Sequence, residues 1–263
     1  MLKTRIFTAL VLGSATVISI LLLPTWAFAV ILGFPWLVGA REWIGFVPEF
    51  RQLTKAYCII FLLIMLGVGP LFDAGGAELI ACLACGWWLL AYLFLWAYPR
   101  RLPTSIVMVS GPIALLPAWF LLVYLHGSES HGPLMVLVLV GTIWVADIGA
   151  YFFGRRFGKI KLAKNISPSK TWEGVIGGLM LAAVVALFAS IALDIPSIAF
   201  VSIALAAAIV SVVGDLTISM LKRHAGLKDS GWLLPGHGGV LDRIDSISAA
   251  VPLFFFGIQM VGI

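Results

Sequence analysis

The chain has 263 residues, of which 62% are hydrophobic and 11% are charged, and its formal net charge at pH 7 is +5. A soluble domain is typically about half apolar and about a quarter charged, so this composition excludes an ordinary soluble protein. Apolar runs of about 20 residues recur along the chain, and a helix of that length crosses the hydrocarbon core of a bilayer. We therefore predict an all-α fold and a polytopic integral membrane protein.

Nine apolar runs predict about nine transmembrane helices, at 6–23, 25–40, 56–72, 79–98, 104–125, 133–154, 174–193, 196–220 and 244–262. The second run is the least regular, because Gly33, Pro35 and Gly39 interrupt it. The first run follows Lys3 and Arg5 and could be a secretory signal. Another apolar run follows it at once, so a retained first helix is the better interpretation.

The basic residues are distributed on one side of this topology. All 17 Lys and Arg residues lie at the N-terminus or in the loops 41–55, 99–103, 155–172 and 221–243. Because Lys and Arg are enriched in cytoplasmic loops, we predict a cytoplasmic N-terminus, a multi-pass protein of the inner (cytoplasmic) membrane, and an active site that faces the cytoplasm. Topology accounts for the positive charge, so we expect no nucleic-acid partner.

The chain is predicted to divide into two parts at residue 130. Residues 1–130 are expected to be N-terminal transmembrane helices that form a lipid-facing packing bundle. Residues 131–263 are expected to be the catalytic transmembrane helices, with cytoplasmic loops at 155–172 and 221–243, because the charged motifs of the chain fall there.

Two acidic residues lie inside predicted spans. Asp147 and Asp215 each precede a basic residue, Arg155 and Arg223, by eight positions. At the rise of an α-helix, both carboxylates lie about 12 Å below the cytoplasmic helix ends. Acids at this depth are costly and are usually functional, so they predict a polar cavity open to the cytoplasm. A structural ion pair between helices remains the alternative for either acid alone.

Polar residues continue from Asp215 toward the cytoplasm. Asp215, Ser219 and Lys222 are spaced i, i+4 and i+7 and therefore share one helix face, with Arg223 beside them. In the loop before the seventh span, Ser169 in "SPSKTWEG" offers a hydroxyl for a helix cap, with a lysine next to it. A helix N-terminus with hydroxyls and a cation favours phosphate binding. The alternative for this loop is a positively charged membrane anchor.

The segment 220–246 combines a glycine turn with charged residues. In "PGHGG", glycines allow successive backbone N–H groups to point into one concavity, which favours anions. Asp242 and Asp245 follow, with Arg243 between them. Carboxylates of this kind can hold Mg²⁺, which commonly shares substrate phosphates. Acids, cations and a glycine turn together are typical of phosphoryl or nucleotidyl transfer, whereas a flexible re-entrant loop would not need so many charges.

These motifs resemble those of a known enzyme family. The stretch Ser219-x-x-Lys222-Arg223-x4-Lys228-Asp229-x-Gly231, continuing to Pro235-Gly236-His237-Gly238-Gly239-x-x-Asp242-Arg243-x-Asp245, is similar to the C-terminal signature of the phosphatidate cytidylyltransferases. The stretches "DIGAYFFGRRFGK" at 147–159 and "SPSKTWEG" at 167–174 resemble upstream motifs of the same family. The resemblance covers about residues 147–246, while the first 130 residues are similar only as a set of apolar spans.

The resemblance implies that CTP and phosphatidic acid give CDP-diacylglycerol and pyrophosphate, with Mg²⁺ as cofactor; a second cation stays open. The implied metal ligands are Asp215 and Asp242, with Asp245 and Asp147 as weaker candidates. The implied catalytic residues are Asp215, Asp242, Lys222 and Arg223. The implied substrate-binding residues are Ser167, Lys170, Ser219, Lys228, His237, Gly238, Gly239 and Arg243. The expected partners are CTP, phosphatidic acid and other membrane lipids, and a second copy of the chain in a homodimer.

Three other functions are weighed against this one. A CTP-dependent lipid kinase acting on a polyprenol-type alcohol would release CDP and would need a base for the hydroxyl group. An ion-coupled transporter would be expected to carry a site near the midplane and often inverted repeats, whereas the strong polar groups here are one-sided. A non-catalytic membrane scaffold would use the charged loops only to dock partners.

Overall fold

The computed structural model describes residues 2–68, 74–128, 131–233 and 238–263. In this part of the chain the helices are α1 (Leu2–Leu22), α2 (Thr25–Ile44), α3 (Thr54–Val68), α4 (Ala74–Trp96), α5 (Thr104–His126), α6 (Gly132–Phe157), α7 (Trp172–Ala192), α8 (Ser197–His224) and α9 (Leu241–Met260). A 3₁₀ turn at Pro48–Leu53 precedes α3. Each predicted apolar run therefore overlaps one helix, and the end of the third run, residues 69–72, lies outside the described residues.

Seven apolar segments in the described ranges are long enough to cross a membrane. They are Thr25–Ile44, Pro48–Gly67, Gly75–Trp96, Thr104–His126, Gly132–Phe157, Trp172–Ala192 and Ser197–His224. The prediction of an all-α polytopic membrane protein is thereby confirmed. The count of nine transmembrane helices stays a prediction, because the apolar stretch of α1, Leu10–Leu22, is short and α9 is not among the seven. The cytoplasmic location of the N-terminus also stays a prediction.

The main departure from a purely helical chain lies in the loop between α6 and α7. There, β1 (Lys161–Ala163) pairs antiparallel with β2 (Ser167–Thr171), with Lys161 opposite Thr171 and Ala163 opposite Ser167. The strands are too short to give a clear alternation of polar and apolar residues, which explains why the sequence predicted only a loop. Thr171 ends β2 and caps α7, since its side chain accepts a hydrogen bond from the Gly174 N–H at 3.2 Å. The cap therefore falls at Thr171, two residues after the expected hydroxyl of Ser169.

The interrupted second run is nevertheless one helix, because its tertiary contacts compensate for Pro35 and Gly39. The Trp43 indole donates to the Val107 carbonyl of α5 at 2.7 Å. Gly39 packs against Ile244 of α9, and a Cβ at Gly39 would approach the Ile244 side chain to 2.8 Å. Close packing of α2 on α5 and α9 thus outweighs the low helix propensity of Gly and Pro.

Two close helix crossings fix the positions of the intramembrane acids. At the crossing of α6 and α7, a Cβ at Gly149 would lie 3.0 Å from the Gly178 Cα, so the two backbones nearly touch. At the crossing of α8 and α9, a Cβ at Gly214 would lie 2.7 Å from the Ala249 Cβ. Small residues permit this approach between membrane helices. Asp147 and Asp215 lie close in the chain to Gly149 and Gly214, so the first crossing fixes Asp147 relative to α7 and the second fixes Asp215 relative to α9.

Helix α9 lies at the centre of the bundle, in contact with α2, α4, α5, α6 and α8. Most of its residues are buried, including Asp245, Ser246 and Ser248. A helix enclosed by protein can carry polar side chains that would be unfavourable against lipid. This enclosure explains why α9 is the least apolar of the long helices near the site.

Candidate active site

A cavity of about 1230 Å³ lies among α1, α2, α6, α7, α8, α9 and β2. One part of its wall is polar and includes Asp147, Arg155, Ser169, Lys170, Asp215, Lys222, Asp229, Asp242, Arg243 and Asp245. Other parts are apolar and include Leu12, Ile31, Phe34, Val140 and Ile143 from α1, α2 and α6. The cavity can therefore hold a ligand that has both a charged and an apolar part.

The first ion pair of the site joins β2 to α8. The Lys170 ammonium contacts the Asp215 carboxylate, and both side chains are partly buried. Ser219, one turn further along α8, donates its hydroxyl to Asp215 Oδ1 at 3.2 Å. On the predicted polar face of α8, Asp215 and Ser219 are therefore in contact, and the β-hairpin places the ammonium of Lys170 against Asp215.

The second ion pair joins the end of α8 to the start of α9. Lys222 Nζ lies 2.6 Å from Asp242 Oδ1, and Lys222 is only 8% exposed. Asp242 Oδ2 accepts two backbone N–H groups, from Ser230 at 3.0 Å and from Gly239 at 3.1 Å. Burial raises the pKa of Asp242, but the hydrogen bonds from Lys222, Ser230 and Gly239 outweigh it and hold the pKa below its usual value. Asp242 is therefore ionised at neutral pH.

Two further acids face the same polar wall. Asp147 of α6 is exposed at the cavity, and Asp245 of α9 is buried at 6% exposure. Both acids line the cavity together with Asp215 and Lys170. Three helices thus bring three acids to the cavity, where the hairpin supplies Lys170.

The donor set at this wall fits Mg²⁺ only as a partial coordination shell. No group of three or more His, Cys, Asp or Glu side chains in the described ranges is arranged to hold a metal ion by itself. Mg²⁺ usually takes one or two carboxylates and completes its shell with waters and substrate phosphates. Asp215, with Asp147 and Asp245 nearby, could supply such carboxylates. Protein groups contact both of its oxygens, as they contact both oxygens of Asp242, so a metal ion would share them with these partners. The metal and its four predicted ligands stay predictions.

The other predicted site residues differ in whether they line the cavity. Arg243 lines the cavity, whereas Ser167, Ser219, Arg223 and Lys228 are not among the described residues that do. Arg223 donates from Nε to the Ile166 carbonyl at 3.3 Å and from Nη1 to the Leu227 carbonyl at 3.1 Å, so it ties the hairpin to the end of α8.

The glycine turn is described only in its second half. Gly238 has a φ of +81°, a left-handed conformation that favours glycine, and Gly239 binds Asp242. His237 lies outside the described residues, together with Pro235 and Gly236.

Comparison with known proteins identifies the family of the chain. The sequence model of the "Cytidylyltransferase family" matches residues 3–261. The chain belongs to the cytidylyltransferase family. It is 39% identical to a phosphatidate cytidylyltransferase of Haemophilus influenzae over 97% of this chain and 98% of the relative. It is 42% identical to the Pseudomonas aeruginosa protein of that name, over 97% and 96%, and 38% identical to the Brucella suis protein, over 97% and 93%.

The match to the cytidylyltransferase family includes the first 130 residues, and the structure gives these residues a part in the site. Helices α1 and α2 contribute to the cavity wall, and Glu42 of α2 binds the segment that leads into α9. Sequence reasoning missed Glu42, because an acid in a loop rich in basic residues resembles an ordinary solvated charge. The division of the chain at residue 130 stays a prediction.

Proposed function

We propose that this chain is a phosphatidate cytidylyltransferase, which converts CTP and phosphatidic acid to CDP-diacylglycerol and pyrophosphate. The observation that carries the proposal is the cavity, in which a wall of paired acids and cations adjoins an apolar wall. A lipid phosphate and a nucleoside triphosphate could bind side by side at the polar wall, while the acyl chains of the lipid lie along the apolar wall. Full-length similarity to three relatives named for this activity supports the same assignment.

The reaction requires charge compensation more than proton transfer. A phosphate monoester has a second pKa near 6, so phosphatidate is largely a dianion at neutral pH and needs no base to become a nucleophile. One of its oxygens attacks the α-phosphorus of CTP in line and forms a new P–O bond. The bond from the α-phosphorus to the oxygen bridging to the β-phosphorus breaks, and pyrophosphate leaves with that electron pair. The residues of the site must hold two polyanions in this alignment.

The two ion pairs suit this task. Lys170 and Lys222 are each held by an aspartate at the cavity wall, so both cations are oriented before substrate arrives. Incoming phosphate oxygens can share these ammonium groups, with Arg243 as a further cation at the wall. Such fixed charges stabilise the negative charge that moves onto the leaving group. Ser219 orients Asp215 through its hydroxyl group.

We also propose Mg²⁺ as the cofactor, with Asp215 as its principal ligand and Asp147 and Asp245 near it. When bound, Mg²⁺ would offset charge on the nucleotide phosphates. The carboxylates of the site would then hold the metal ion, and the lysines would bind phosphate oxygens of the same substrates.

The setting proposed for this reaction is the inner membrane, with the cavity open to the cytoplasm. Support comes from the basic loops, all on one predicted side of the membrane, where CTP is found and where polybasic segments attract anionic lipids. A homodimer is part of the proposal, on the strength of the family resemblance. Cross-linking in native membranes tests the homodimer, and labelling of the 155–172 loop from each side tests the orientation.

One incubation separates this function from its rivals. Purified protein is mixed with CTP, phosphatidate and Mg²⁺, and the products are assayed for pyrophosphate and the liponucleotide. Equal amounts of both are expected. CDP formed with a polyprenol-type alcohol would favour the lipid kinase, and absence of any CTP-dependent product would contradict the proposal. Omission of Mg²⁺ and addition of a chelator test the cofactor in the same assay.

A further inference from the structure

Glu42 lies in the last turn of α2, within the part of the chain that the sequence assigned to packing. Its carboxylate accepts three hydrogen bonds from the C-terminal charged segment. The Ser230 hydroxyl donates to Oε2 at 2.8 Å, the Val240 N–H to Oε1 at 3.1 Å, and the Leu241 N–H to Oε2 at 2.8 Å. Both oxygens of Glu42 are therefore engaged with residues that lead into α9.

These hydrogen bonds replace a local helix cap. The residue before α9 is Val240, which has no side-chain oxygen and makes no capping hydrogen bond with its side chain. The first backbone N–H groups of a helix have no partners within it and need an acceptor. A carboxylate satisfies them and also interacts favourably with the positive end of the helix dipole. Glu42 therefore supplies from α2 the cap that the sequence around α9 lacks.

The same carboxylate reaches Asp242 through one intermediate residue. Ser230 donates its hydroxyl to Glu42 and its backbone N–H to Asp242, so the two acids hold it from two sides. Gly239 also donates to Asp242, and a Cβ at Gly239 would collide with the Ser230 hydroxyl and with Glu42 Oε2. The turn around Asp242 is thus closely packed on Glu42, and its shape depends on that side chain.

We propose that Glu42 is a positioning residue that holds the start of α9, and with it the Asp242–Lys222 pair, in the geometry that binds CTP. The inference rests on the function proposed above. Glu42 is not among the described residues that line the cavity, so it acts through Asp242 and does not touch substrate. Loss of its charge loosens the turn and weakens the nucleotide site while the membrane helices stay folded.

The test compares Glu42→Gln with Glu49→Gln in the full-length protein. The glutamine keeps the shape of Glu42 but turns an N–H₂ group toward donors that need an acceptor. Glu49 is a matched control, because it is an exposed glutamate in the 3₁₀ turn that follows α2. For Glu42→Gln, the CTP concentration at half-maximal rate should rise about tenfold, which corresponds to about 1.4 kcal/mol. For Glu49→Gln it should not change.

A purely structural role predicts a different result. If Glu42 only stabilised the fold, Glu42→Gln would lower the fraction of active protein and therefore the maximal rate, with an unchanged half-saturating CTP concentration. That result would overturn the proposal. A normal maximal rate and normal CTP dependence in Glu42→Gln would overturn it as well.

A milder variant guards against misfolding. Ser230→Ala removes one of the three hydrogen bonds to Glu42 and leaves the backbone contact to Asp242 in place. It should raise the half-saturating CTP concentration less than Glu42→Gln does, and the double variant should be no worse than Glu42→Gln alone. Fully multiplicative effects would mean that the two residues act independently, contrary to the proposal.

Backbone hydrogen exchange provides a readout that does not depend on activity. The amides of Val240 and Leu241 should exchange at least about tenfold faster in Glu42→Gln than in wild type or Glu49→Gln, because their acceptor is weakened. If wild-type protein made no liponucleotide, the proposed function would fail, and this exchange measurement alone would decide whether Glu42 holds α9. Unchanged exchange at Val240 and Leu241 in Glu42→Gln would show that Glu42 does not hold the start of α9.

Discussion

Lys170 of the β-hairpin and Asp215 of α8 form an ion pair at the wall of a cavity that also exposes Asp147. The hairpin ends directly at the cap of α7, so the lysine is carried on a short and well-defined element rather than on a free loop. This arrangement turns an anchor-like basic loop into part of the polar wall. It also explains how an acid deep in a predicted span is stabilised before any substrate binds.

Asp215→Asn is expected to abolish formation of CDP-diacylglycerol. The amide keeps the shape but cannot pair with Lys170 or serve as a charged ligand, and loss of one essential electrostatic group typically lowers the rate by about 100-fold or more. Liponucleotide formation is measured in membranes with matched protein levels. Lys159→Ala, at an exposed position outside the cavity wall, should retain most activity and serves as the control. Substantial activity in Asp215→Asn would contradict the proposed role of Asp215.

Asp242→Asn is expected to reduce both activity and stability. The change leaves the ammonium of Lys222, a residue with 8% exposure, without a charged partner, and breaking a buried pair from one side costs about 3 kcal/mol. The loss is measured as a lower midpoint of thermal unfolding in detergent. The double variant Lys222→Met/Asp242→Asn should recover part of the stability, because it removes the unpaired charge, but none of the activity. Recovery of activity in the double variant would show that the pair is only structural.

Gly214→Ala is expected to impair the enzyme although it adds a single methyl group. Its Cβ would lie 2.7 Å from the Ala249 Cβ and would also press on the backbone carbonyl of Asp245, so α8 and α9 must separate. Separation moves Asp215 relative to Asp245, and we expect at least about a tenfold loss of rate, in line with the cost of small misplacements in a preorganised site.

Gly141→Ala is the matched control for Gly214→Ala. Gly141 lies within α6 and has nothing within 4 Å of an added Cβ. The substitution should leave activity unchanged and slightly favour the helix, since Ala has the higher helix propensity. Equal effects of the two substitutions, measured as liponucleotide formation and thermal unfolding, would argue against close packing at Gly214.

Tyr57→Phe is expected to lower stability without altering CTP dependence. Pro112 removes a backbone N–H from α5, which frees the carbonyl of Met108, and the Tyr57 hydroxyl donates to that carbonyl at 3.1 Å. Loss of the hydrogen bond should cost about 1 kcal/mol. Thermal unfolding measures the loss. A changed half-saturating CTP concentration would mean that α3 and α5 couple to the site, which is not expected.

The helices and the identity of the principal charged motifs could be predicted from the sequence. Apolar runs of membrane-crossing length have few alternatives, because the backbone polar groups must be satisfied within the helix. The spacing of Asp215, Ser219 and Lys222 follows from the helical period, and the contact between Asp215 and Ser219 follows from that spacing.

The partners of the acids were decided by the tertiary structure alone. Lys170 reaches Asp215 through a hairpin too short for its pattern to predict, and the capping of α9 by Glu42 joins residues almost 200 positions apart in the chain. Local periodicity reports which face of a helix is polar, but it carries no information about which distant group meets that face. In this protein, close helix crossings at glycines and the buried central helix α9 determine these contacts between distant residues, because only the packed bundle determines which backbones approach each other.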